Sequence, residues 1–183
     1  MRSPFGWLAP GHERRVFLVL LVATLVVLAN LQVVGGPLRT EAAPQGIVSF
    51  EFAGTLAEAH RMMDAWGASG RVYAGLSLGL DYLFLALYGL TLALACVRTA
   101  RSFGGGYARL GEVLAWGALL AAALDALENY ALIRVLLGAA SDAWPAVAYG
   151  AALTKFILVA AALLYFFSGL IRYFFPGKRG RVA

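Results

Sequence analysis

Four long apolar runs, residues 16–34, 72–97, 110–137 and 145–171, dominate this sequence. About 20 apolar helical residues cross a bilayer core about 30 Å thick. Each run is read as a transmembrane helix, because lipid offers backbone groups no partner and a helix closes its own hydrogen bonds. The predicted fold is all-α: an integral membrane four-helix bundle, one domain over residues 1–183. Composition agrees. Hydrophobic residues make up 61% and charged residues only 14%, against roughly 25% charged in soluble domains. The first run follows arginines, as a signal peptide would. It is long for one, however, and no A-x-A site follows closely.

The formal net charge is +5, but the basic residues sit in tails and loops beside the apolar runs. That placement speaks for membrane topology and against a nucleic-acid surface. The single cysteine, Cys96, excludes an internal disulfide and is read as a small apolar helix residue. His12 and His60 both lie outside the runs, which excludes haem held by a buried histidine pair. No P-loop, G-x-S-x-G, H-E-x-x-H or cysteine pair is present. Asp125-x-x-Glu128-Asn129 is too short to stand for an acidic metal–diphosphate motif, and Lys155 would compete with Mg²⁺. No metal and no cofactor is expected.

Gly35-Gly36-Pro37 ends the first helix, with Asn30 and Gln32 near its outer end. The first outer loop, 35–71, is the only long segment outside the runs. Within it, 47–52 alternates weakly and is predicted to be extended. Thr55-x-x-Glu58 reads as a capping box, so a short amphipathic surface helix is predicted over about 56–66, ending at Gly67. Leu56, Ala59, Met63 and Trp66 give it one apolar face, to lie on the membrane or cap the bundle. Gly75-x-x-x-Gly79 offers a flat patch for close helix approach. Trp144-Pro145 suits the start of the last helix. Ten lysines and arginines lie in the two tails and the 98–109 loop, against three in the loops on the other side. The positive-inside rule then puts both termini in the cytoplasm of a cell (inner) membrane protein.

Charges inside the runs carry the functional reading. Asp125, Glu128 and Asn129 stand at i, i+3 and i+4 and share a helix face. That face must point into the bundle, since a charge facing lipid costs several kcal/mol. Depth follows from the helical rise: Asp81, Glu128 and Lys155 fall about 14–15 Å from the outer side and Asp125 about 18 Å. Four ionisable groups on three helices thus meet near the midplane. Three carboxylates against one ammonium leave a surplus that a proton or an outside cation balances. Ser77, Asp81, Phe84 and Tyr88 share a face; Tyr82, Tyr88, Tyr130 and Thr154 are candidate hydrogen-bond partners. Glu51 can approach from the outer loop. Arg134 lies close enough to its helix end to snorkel, or else supplies charge to the cluster.

The candidate site is therefore Asp81, Asp125, Glu128, Asn129 and Lys155, with Tyr82, Tyr88, Thr154 and Glu51. Three functions fit it. The first is a site opening to the outer side that binds or moves a small cationic or headgroup-bearing ligand, transport requiring a homo-oligomer. The second is a membrane-embedded enzyme using paired carboxylates as general acid and base on a lipid or isoprenoid. The third is a structural accessory subunit of a larger membrane complex, its ion cluster only fixing helix register. Expected partners are membrane lipids; nucleic acid is not.

Overall fold

A computed structural model gives the architecture of the chain over residues 3–174. The basic tail read from the sequence beyond Phe174 lies outside the described residues. In chain order come α1 (Pro10–Val34), a 3-10 turn (Gly36–Leu38), α2 (Ile47–Glu51), α3 (Leu56–Ala100), α4 (Gly105–Leu136) and α5 (Ala143–Phe174). Helices α1, α3, α4 and α5 are long and apolar enough to cross a membrane. They pack together as the predicted bundle and run past the apolar stretches into the polar flanks.

Helix α3 is the hub. It packs against α4, α5 and α1, whereas α1 leans on α3 and hardly touches α5. The far side of α1 is left bare, with Leu18, Val22 and Val26 outward, as suits a helix with hydrocarbon beyond it. The hydroxyls of Thr24 and Thr91 meet at 2.9 Å and tie α1 to α3. Close approaches occur at glycines, though not at those the sequence pointed to. A Cβ at Gly89 would stand 2.7 Å from the Cβ of Ala122 on α4. Gly75 and Gly79 have nothing within 4 Å and face outward. The Gly75-x-x-x-Gly79 patch therefore takes no part in packing within this chain.

The short helix predicted over 56–66 forms the first part of α3. The Glu58 N–H donates to Thr55 Oγ1 at 3.3 Å. The reciprocal half of the capping box is absent, because the Glu58 carboxylate pairs with Arg61. Leu56 N–H donates instead to Asp142 Oδ1 at 2.6 Å, which ties this turn to the α4–α5 link. The break comes at Gly67, whose φ of 63° and ψ of −166° suit only glycine. Arg71 reaches across it, donating from Nε to the Met63 carbonyl at 3.1 Å. Ala59, Met63 and Trp66 are buried, so the apolar stripe caps the bundle.

The extended segment predicted over 47–52 is not found; the chain forms the helical turn α2 there. Gly46, at φ 62°, turns the chain into it. Phe50 and Glu51 are both buried. A strand would have sent these neighbours to opposite faces, while a helical turn lets both point inward. Phe50 packs edge-on to Trp66 at 5.2 Å between ring centroids, and Trp66 Nε1 donates to the Leu38 carbonyl at 2.8 Å. This apolar core, with Leu78 and Leu132, fills the end of the bundle nearer these loops. A second core around Leu94, Val97, Ala115 and Tyr165 fills the end nearer the termini. The charged residues lie between the two.

Candidate functional site

Lys155 of α5 is the centre of the cluster. Its Nζ donates to Asp125 Oδ1 at 2.6 Å and to Glu128 Oε1 at 2.9 Å, both on α4. Glu51 of α2 lies farther off, with Oε2 at 3.5 Å from Nζ. Exposure of Asp125, Glu128 and Lys155 is 3%, 0% and 6%, so the triad sits where an unpaired charge would be costly. Asn129, one position beyond Glu128, donates from Nδ2 to Asp81 Oδ2 at 2.7 Å and links α4 to α3. Four helices of the chain thus contribute to one polar level: α2, α3, α4 and α5.

Glu51, Asp81, Asp125 and Glu128 together face a single ammonium, so the surplus of acid is larger than the spans alone implied. Burial raises the Glu51 carboxyl above the ordinary carboxylate range, against the pull of Lys155. Glu51 Oε2, the oxygen 3.5 Å from Lys155 Nζ, is buried and makes no hydrogen bond.

Some of the expected partners are elsewhere. The Tyr82 hydroxyl donates to the Ala126 carbonyl at 3.2 Å while its ring faces outward. The Thr154 hydroxyl donates to the Gly150 carbonyl of its own helix, and Thr154 is exposed. Tyr130 packs on Trp144, and the Arg134 guanidinium lies over the same indole at 5.2 Å, so neither joins the cluster. Tyr82, Tyr130 and Thr154 each adjoin a cluster residue in sequence. On a helix that neighbourhood turns a side chain away by a quarter of a turn or more. Tyr88 does reach the cluster. It is buried with its hydroxyl close to Asp125, though no bond of good geometry forms among the described residues.

A cavity of about 840 Å³ opens against one side of this cluster, within the size range of small-molecule sites. Its polar wall includes Glu51, Asp81, Asp125, Asn129, Lys155 and Tyr88. Glu128, although central to the ion cluster, does not reach it. The rest of the wall is largely apolar, with Leu21 and Leu28 of α1, Phe84 and Leu92 of α3, and Val159 and Leu163 of α5. Gln32, Arg39 and Gln45 stand at the loop end. The face Ser77, Asp81, Phe84 and Tyr88 read from the sequence lines the cavity in full. The contribution of α1 was missed. Its one signal was Thr24, the polar residue farthest from either end of that run.

Among the described residues, no group of three or more His, Cys, Asp or Glu side chains is arranged to hold a metal ion. Comparison with protein families, with curated proteins and with solved structures finds no match.

Proposed function

We propose that this chain binds an amphipathic ligand in the cavity, with the cationic or headgroup-bearing end against Asp81 and Asp125. The apolar part then lies along α1, α3 and α5. The observation that carries this reading is the division of the cluster. Lys155 is saturated by acids within the protein, while Asp81 stands on the cavity wall with no ion pair among the described residues. We place the bundle in the cell membrane with both termini cytoplasmic, on the ten-to-three bias of basic residues. The loop end of the cavity then opens to the outer side. Transport of the ligand, if it occurs, calls for a second copy of this small bundle.

Asp81→Asn keeps the shape of the side chain and removes its charge. Native mass spectrometry of protein extracted from its own membrane is expected to show a bound amphiphile. That adduct should fall at least tenfold in the variant, since a charge-assisted hydrogen bond contributes about 1.5–3 kcal/mol. A wild-type spectrum without any adduct would count against the proposal, as would an adduct indifferent to Asp81.

The enzyme reading has one observation in its favour, three carboxylates and a phenol facing the same cavity. Such an enzyme would use Asp81 and Asp125 as its acid and base, because Glu128 does not reach the wall. Membrane lipid profiles from cells carrying the wild type and Asp125→Asn should then differ in one lipid class; identical profiles sink the enzyme. A purely structural role accounts for the Lys155 triad and leaves the cavity unexplained.

A further inference from the structure

We infer that the polar end of the ligand is a protonated primary amine carried on a single apolar chain. This inference rests on the binding proposal above and narrows its ligand class. Several hydrogen-bonding atoms at the cavity are left over among the described residues once the internal bonds of the cluster are made. Asp81 uses Oδ2 to accept from Asn129, and its other oxygen accepts nothing among the described residues. Asp125 uses Oδ1 to accept from Lys155, and its second oxygen is likewise free of a hydrogen bond. Glu51 Oε2 is buried and makes no hydrogen bond. The Tyr88 hydroxyl oxygen, in a residue only 7% exposed, has no well-formed bond either. All four residues line the same cavity.

An alkylammonium has three N–H donors and no acceptor. Its donors meet leftover acceptors, most of them on carboxylates that the single Lys155 does not neutralise. A quaternary ammonium has the charge and no donor, so it would leave the buried acceptors unpaired, and such sites discriminate strongly. A neutral alcohol supplies one donor and no charge.

The apolar part of the cavity fits one extended chain. From Asp81 to Leu92 along α3 is about 16 Å at the helical rise, and Leu21, Val159 and Leu163 face the same space. The only polar pair on this stretch, Thr24 and Thr91, is already satisfied. Each hydroxyl lies within bonding distance of a carbonyl of its own helix and of the other hydroxyl, so one donates to its carbonyl and the other donates across. Access is lateral. Helices α1 and α5 each pack on α3 and hardly on one another, and the rings of Phe17 and Phe166 meet toward the termini.

The test uses the full chain in lipid nanodiscs and radiolabelled dodecylamine, counted above empty nanodiscs. Saturable binding is expected, with dodecyltrimethylammonium and dodecanol each displacing the label at least tenfold more weakly than unlabelled dodecylamine. Tyr88→Phe should weaken dodecylamine binding about threefold to tenfold, with no loss of melting temperature because the missing hydroxyl had no well-formed bond. If the quaternary amine displaces as well as the primary one, the N–H requirement is wrong and the binding proposal stands. Undiminished binding to Tyr88→Phe overturns the placing of the ammonium against Asp81, Asp125 and Tyr88. If none of the three probes binds saturably, both the inference and the proposal beneath it fail.

Discussion

Lys155→Met is expected to lower the stability of the bundle by about 3–5 kcal/mol, the range seen when one partner of a buried ion pair is removed. The ammonium is the sole cation among four acids, two of which it holds at 2.6 and 2.9 Å. Methionine fills much of the same space but leaves Asp125 and Glu128 facing each other on adjacent turns of α4. Either their charges repel in a site that excludes water, or both take up protons at a cost. Adding Glu128→Gln should recover part of the loss, because the amide removes one charge from a position that is 0% exposed. Thermal unfolding in detergent, followed by circular dichroism, checks both statements. An unchanged midpoint for Lys155→Met would mean that the acids are held in place without it.

Phe50→Ala is expected to cost about 3–5 kcal/mol, as large-to-small changes at buried aromatic positions do. Phe50 is fully buried and packs on Trp66, whose indole in turn holds the Leu38 carbonyl. Removing the ring leaves a hole where the first long loop docks onto the bundle. The next residue in the chain is Glu51, so undocking α2 also withdraws an acid from the cluster and a wall from the cavity. Hydrogen exchange over 35–55 should accelerate more than exchange in α4 and α5. Equal protection of that segment in wild type and variant would show that Phe50 does not hold the loop.

Much of this molecule was legible before any fold was known. The lengths of the apolar runs set four helices, because lipid leaves a long apolar stretch few alternatives. The helical period put Asp125, Glu128 and Asn129 on one face, and counting residues from the helix ends brought them level with Asp81 and Lys155. The observed contacts among them follow that count. The same period turns Tyr82 and Thr154 away from the cluster residues they adjoin, although both were expected as partners.

Other features depend on which faces meet, and the sequence of a single helix does not contain that. Gly89, not Gly75 or Gly79, lies where α3 crosses α4, because a glycine matters only on the side where a neighbour arrives. α2 is helical because Phe50 and Glu51 both have somewhere to go, a pocket beside Trp66 and an ammonium on α5. Glu128 lies behind the wall while Asp81 stands on it, since the open space lies mainly between α1, α3 and α5. Spacing along the chain thus determined the depth of each charge, a local property of helical rise. Tertiary packing alone decided which charges neutralise one another and which face open space, because that depends on the rotation and neighbours of every helix at once.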